Sequence, residues 1–378
     1  MKRSLIIFLL FILLTTHFTM GIAPPPENTI SFKWQGHLIV VEGNINSSQD
    51  NYNFIIDTGA LTFIDKNVAQ ELQLKQKGMM AKINSLELSG FYINDIFCFT
   101  TFDFQHFNAI GIPIHGIIGP NLLERYKVAF DFKSCSVTFS SDTTSLDRPE
   151  NALFLTFRNH PVNNAPLVNF KMGDKSIEGM IDTGQPYPIV FPLESFEKYK
   201  NLYVSDFIKS RGLMEEWPDT TADFNYLARL KSFELENIKV ESIVCLFGQL
   251  PRPLSMPLIG NNFLSQFKIV INYPKDEMLM LPYYDIHFKN NRFSVGLNPG
   301  ISKENEIIIK GVWENSPADN AKIEVGDIII SFNSEKATQT NLIELINMMK
   351  DDTKESIILE IKNQDTTRKI KLNKAILF

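Results

Sequence analysis

The chain of 378 residues carries one ordered set of segments twice. Phe54-Ile55-Ile56-Asp57-Thr58-Gly59 returns as Gly179-Met180-Ile181-Asp182-Thr183-Gly184, an offset of 182 − 57 = 125. Ser85-Leu86-Glu87-Leu88 returns as Ser232-Phe233-Glu234-Leu235, and Cys98 as Cys245, both at an offset of 147. Ile117-Ile118-Gly119-Pro120-Asn121-Leu122-Leu123 matches Leu258-Ile259-Gly260-Asn261-Asn262-Phe263-Leu264 at 141, and Lys127-Val128-Ala129-Phe130-Asp131 continues against Lys268-Ile269-Val270-Ile271-Asn272. The order is kept while the spacing drifts, with 147 − 125 = 22 extra residues after the second Asp-Thr-Gly. Such a pattern predicts one folding unit built twice.

Each copy reads as mostly strand. Leu38–Val41, Tyr52–Ile56, Leu86–Leu88, Ile93–Phe99 and Val128–Phe132 are β-branched or aromatic runs bounded by Gly, Asn and Asp. Short helices are expected over Lys66–Leu74 and Asn121–Tyr126. Cys98 and Cys245 fall inside apolar strands and read as buried small hydrophobes. From Arg292 to Leu372 the pattern changes: strand-like runs at 307–312, 356–362 and 367–372 surround Ser316-Pro317-Ala318, Gly326-Asp327-Ile328-Ile329 and a helix-period stretch, Asn341–Met349. That is a separate small domain of roughly 85 residues.

Several function classes have no foothold. A formal charge of −6 argues against a nucleic-acid surface. Three scattered cysteines and six histidines show no metal-ligand spacing, and neither HExxH nor GxSxG is present, so no metal or cofactor is expected. Lys2 and Arg3 before an apolar run from Leu5 to Leu14, with Gly21 and Ala23 beyond, have the form of a signal peptide over residues 1–23. The run falls short of the roughly 20 residues of a membrane span, so no stable transmembrane anchor is expected. The expected location is periplasmic or extracellular after cleavage.

The paired Asp-Thr-Gly turns carry the chemistry. Hydrolysing a peptide bond without metal or covalent nucleophile needs a base for water and an acid for the leaving amine. Two carboxyls a hydrogen bond apart supply both, because like charges so close cannot both ionise. A two-fold repeat brings identical turns face to face, glycine permits the tight turn, and the threonine hydroxyls can tie one turn to the other. The pattern resembles the retropepsin-like aspartic proteases over about residues 30–283. The resemblance implies Asp57 and Asp182 as the dyad, Thr58 and Thr183 as supporting threonines, and Gly59 and Gly184 as turn glycines. It also implies a cleft under mobile flaps, for which Lys77–Ile83 and the stretch Leu202–Ala228 are the candidates. Gln185, followed by Pro186, departs from the family, which usually has a small residue there; a bulky side chain would crowd the cleft or reshape a pocket.

Ser316-Pro317-Ala318 with Gly326-Asp327-Ile328-Ile329 resembles PDZ domains, which implies capture of peptide C-termini by strand addition. Val295, Gly296 and Leu297 are the candidate carboxylate loop. The expected architecture is mainly β: a retropepsin-like lobe at 30–140, a second at 151–283, together one bilobal acid-protease domain, and a small α+β PDZ domain at 290–375. The leading reading is an aspartic-type endopeptidase acting on polypeptides. Its rival is an inactive peptide-binding scaffold of the cell envelope, and pairing of the lobes between two chains is a third arrangement. The placement of the two aspartates discriminates between them.

Overall fold

A computed structural model describes residues 27–104, 111–215, 221–251, 255–284, 288, 293–364 and 366–377. The expected signal peptide, residues 216–220 of the second expected flap and 290–292 of the expected PDZ domain lie outside the described residues. No helix among the described residues is long and apolar enough to cross a membrane.

The fold is mainly β, with barrel-like sheets. The first half contributes β1 (Glu27–Ser31), β2 (Leu38–Ile45), β3 (Tyr52–Ile56), β4 (Phe63–Ile64), β5 (Met80–Leu88), β6 (Phe91–Phe99), β7 (Gly116–Ile118), β8 (Lys127–Asp131) and β9 (Ser136–Ser140). The second supplies β10 (Leu153–Thr156), β11 (Pro166–Met172), β12 (Lys175–Asp182), β13 (Ile189–Pro192), β14 (Val204–Gly212), β15 (Tyr226–Leu230), β16 (Val244–Gly248), β17 (Leu258–Gly260), β18 (Phe267–Asn272) and β19 (Glu277–Pro282).

The two halves share one local topology. Strand β3, which leads into Asp57, runs parallel to β7; β7 pairs antiparallel with β4, and β4 runs parallel to β6. Strand β12, which ends on Asp182, stands in the same relation to β17, β13 and β16. Strands β7 and β17 are short apolar runs buried at every position, as expected where both faces of a strand are covered. The halves meet where β8 pairs antiparallel with β18, Lys127 opposite Asn272, Ala129 opposite Val270 and Asp131 opposite Lys268. Ala129 and Val270 are also equivalent in the repeat, so a local two-fold axis passes between them. The joint sheet has three strands from each half, in the order β1-β9-β8-β18-β19-β10.

The helices are shorter than their sequence pattern. Helix α1 (Lys66–Glu71) is capped by Asp65, whose Oδ1 accepts from Asn67 N at 2.7 Å, and it stops before Leu74 because Gln73 adopts φ +48°. Helix α2 (Pro120–Leu123) starts one residue earlier than expected, with proline in its first turn where no intrahelical N–H is needed. It ends at Leu123, three residues before the expected Tyr126, and β8 begins at Lys127. Helix α3 (Asn261–Leu264) is its counterpart. One hydrophobic core runs through both halves, from Ile30 to Met280. Cys98 and Cys245 are buried in it as free thiols.

The C-terminal segment has its own core, from Val295 to Leu372. It comprises β20 (Leu297–Ile301), β21 (Ile307–Trp313), β22 (Ile328–Phe332), helix α4 (Leu342–Lys350), β23 (Ser356–Asn363) and β24 (Thr366–Asn373). Helix α4 begins one residue later than the expected Asn341, behind a short 3-10 turn with a Thr338–Asn341 capping box.

Candidate active site

The strand-end turns 57–59 and 182–184 meet on the axis between the halves. Thr58 N donates to Thr183 Oγ1 and Thr183 N donates to Thr58 Oγ1, both at 3.0 Å. Each hydroxyl then donates to the strand leading into the opposite turn, Thr58 Oγ1 to Ile181 O at 2.7 Å and Thr183 Oγ1 to Ile56 O at 2.9 Å. Both threonines are fully buried. The exchange locks the turns face to face within one chain.

Above this lock the carboxyls of Asp57 and Asp182 are hydrogen-bonded to each other. Asp57 Oδ1 accepts from Gly59 N at 2.7 Å and Ala60 N at 3.1 Å. Asp182 Oδ1 accepts from Gly184 N at 2.8 Å. Burial raises both carboxyls above their ordinary range, Asp182 far more, because the Asp57 charge adds to its desolvation. The N–H of Gly59, the hydrogen bond with Asp182 and the N–H of Ala60 pull Asp57 back. Two carboxyls so close and so buried cannot both ionise, so the pair shares one proton.

The turn glycines are required by closeness. A methyl group on Gly59 would sit 2.5 Å from Asp182 Cγ, and one on Gly184 2.3 Å from Asp57 Cγ. Gly59→Ala and Gly184→Ala are therefore expected to push the carboxyls apart. The check is urea unfolding of the two variants against wild type, with a loss of stability expected; unaltered stability in both would refute the required closeness.

Gln185, expected to crowd the cleft or reshape a pocket, is folded back against its own turn. It is 3% exposed, its Oε1 accepts from Tyr187 N at 3.1 Å, and a methyl group on Gly260 would meet its Cγ at 2.9 Å. The side-chain oxygen is thus met by the Tyr187 N–H, and the stem packs against the strand end of β17.

Two asparagines that the repeat does not mark also reach the turns. Asn163 Nδ2 donates to Gly59 O at 2.5 Å, and Asn261 Nδ2 donates to Thr183 O at 2.5 Å and His37 O at 2.6 Å. The sequence signal for Asn261 was a mismatch, since Pro120 occupies the corresponding place in the first copy.

The expected flap at Lys77–Ile83 is a hairpin tip: Gln76–Lys77 pairs with the start of β5, Gly78 adopts φ +62° and Met79 is 63% exposed. The expected flap at Leu202–Ala228 covers β14 and the start of β15, which pair as a hairpin. The far end of β14 pairs antiparallel with β21, Ser210 opposite Trp313 and Gly212 opposite Gly311. Glu314 N donates to Lys209 O and Leu213 N to Lys310 O, each at 2.9 Å. Arg211 Nη1 lies 2.6 Å from an Asp319 carboxylate oxygen, and Trp313 packs in a cluster with Ile208 and Met214. One hairpin of the second half is thus part of the same sheet as the C-terminal unit.

That unit presents strand β20 on the other side of β21, with α4 packed against it. Residues 308–363 match the PDZ domain. The PDZ domain is a peptide-binding module. Its matched part spans nearly all of β21 and runs through α4 to β23, and it leaves Val295, Gly296 and Leu297 outside. Those three form the turn into β20: Gly296 adopts φ +85°, its N–H donates to Ser294 Oγ at 3.0 Å, and Val295 is buried with its carbonyl accepting from Ala318 N. No curated protein matches the chain. Among the described residues no group of His, Cys, Asp and Glu could hold a metal.

Proposed function

We propose that this chain is an exported aspartic endopeptidase with the Asp57–Asp182 dyad contributed by two lobes in cis and a PDZ domain that binds peptide C-termini. The observation that carries the reading is geometric: the threonine exchange brings two buried carboxyls against each other's turn glycine, too close for both to ionise. A water between them loses a proton to Asp57 as its oxygen attacks the scissile carbonyl carbon, while Asp182 protonates the carbonyl oxygen. Collapse of the tetrahedral diol breaks the C–N bond: the proton on Asp57 passes to the leaving amine, and one diol hydroxyl returns its proton to Asp182 as the C=O of the new carboxylic acid forms. The repeat, the matching strand order around each turn and the threonine exchange support a bilobal retropepsin-like arrangement. The Lys2-Arg3 and Leu5–Leu14 leader supports export. An inert scaffold has no use for two carboxyls held at the cost of desolvation.

The test is binding of a peptide mimic with a secondary alcohol at the scissile position, followed by calorimetry. Mimics of a transition state bind at least about 10²-fold tighter than matched substrates. Wild type is expected to show that preference for the mimic over the same peptide with an ordinary amide. Asp57→Asn should lose it. Equal affinity for both peptides in wild type would refute the reading.

A further inference from the structure

We infer that Asn163 and Asn261 are positioning residues of the dyad, each polarising from behind the peptide group whose N–H holds one of its carboxyl oxygens. The inference rests on the peptidase reading and deepens it.

The geometry is one of two relays. The peptide group joining Gly59 to Ala60 takes the Asn163 Nδ2 hydrogen on its oxygen at 2.5 Å and gives its N–H to Asp57 Oδ1 at 3.1 Å. The peptide group joining Thr183 to Gly184 takes the Asn261 Nδ2 hydrogen at 2.5 Å and gives its N–H to Asp182 Oδ1 at 2.8 Å. A hydrogen bond to an amide oxygen draws charge toward it and strengthens the same amide as a donor, most of all in a low-dielectric interior. Both side chains are buried, Asn163 at 2% and Asn261 at 0% exposure.

Two further facts set these residues apart from ordinary core polars. Asn163 lies in the segment before β11 of the second half yet serves the turn of the first, while Asn261 opens α3 and also grips His37 O in the first half. The two supports are thus not repeat equivalents, although the turns they support are. Asn261 Oδ1 is buried without a hydrogen-bond partner among the described residues. An oxygen left in that state is tolerated where the amide donor has a use that an apolar side chain could not serve.

The experiment compares pH profiles of kcat/KM for wild type, Asn163→Leu and Asn261→Leu on one chromogenic peptide. Asn163→Leu weakens the Ala60 donor, so the Asp57 carboxylate is less stabilised and the acid limb moves to higher pH by about half a unit or more, with kcat down roughly 10-fold and KM little altered. Asn261→Leu weakens the Gly184 donor, so Asp182 keeps its proton further and the alkaline limb moves up. Asn163→Asp keeps the shape and serves if a leucine variant fails to fold: protonated near pH 4 it still donates to Gly59 O, and its activity relative to wild type should fall as the pH rises. Limbs that stay at the wild-type pH, or Asn163→Asp tracking wild type throughout, overturn the inference while the dyad stands. A wild type that does not cleave removes the dyad and this inference together.

Discussion

Asp57→Asn and Asp182→Asn should each abolish digestion of a denatured protein mixture between pH 3 and 8, with wild type active in the same assay. A positioned acid or base contributes about 10²–10⁴-fold, and the two carboxyls act as a unit, so losing either should cost about as much as losing both. Residual cleavage should be no higher in the single variants than in the double. Cleavage that persists at wild-type rates in both single variants would overturn the assignment. The same variants carry a stability signature of opposite sign. Asp182 is raised well above the ordinary carboxylate range, first by burial and then by the Asp57 charge. A raised group stabilises the fold below its unfolded value of about 3.9, and that contribution is lost as pH rises through the folded value. Asp182→Asn should therefore be inactive yet more resistant to urea than wild type near pH 7, with the difference vanishing near pH 3.

Thr58→Val and Thr183→Val should be the most destabilising single-methyl exchanges at the turns. Valine matches threonine in shape, so packing is retained while two buried groups lose their partners. For Thr58→Val these are the Thr183 N–H and the Ile181 carbonyl. At about 1–3 kcal/mol for each buried group left unpaired, the expected loss is roughly 2–6 kcal/mol. Urea unfolding at constant slope is the measurement. The two hydroxyls interlock, so the double variant should fall short of the summed single losses. A change under about 0.5 kcal/mol in either single variant would mean that the interface of the halves does not depend on the exchange.

Much of this arrangement could be read from the chain itself. The strand Tyr52–Ile56 has the bounds read from its apolar run, and the repeat put Ala129 and Val270 at equivalent positions, which is where the axis passes. A duplication fixes which segments correspond, and correspondence was enough to bring Asp57 toward Asp182. It says nothing of what breaks the symmetry. Asn163 has no partner in the repeat, and Asn261 stands against Pro120, so a search for matched residues passes over both. Gln185 looked obstructive because side-chain bulk is visible in a sequence while the acceptor it meets, its own neighbour's N–H, depends on how the turn closes. The early stop of α1 came from the backbone of Gln73, a residue type that gives little warning of a positive φ. Pairing of β14 with β21 joins segments a hundred residues apart, a contact for which local pattern carries no signal.

That last pairing bears on how the protein can be dissected. A chain cut before the C-terminal unit would uncover the Ser210–Gly212 edge and strip Trp313 from Ile208 and Met214, leaving backbone donors and apolar surface side by side. Such an edge recruits other strands, including its own copies, so clumping of the shortened protein would report a torn seam rather than a dispensable appendage. Each part has a core of its own, and the two share one sheet and the Trp313 cluster, so swapping in another recognition unit would require rebuilding the strand it lends.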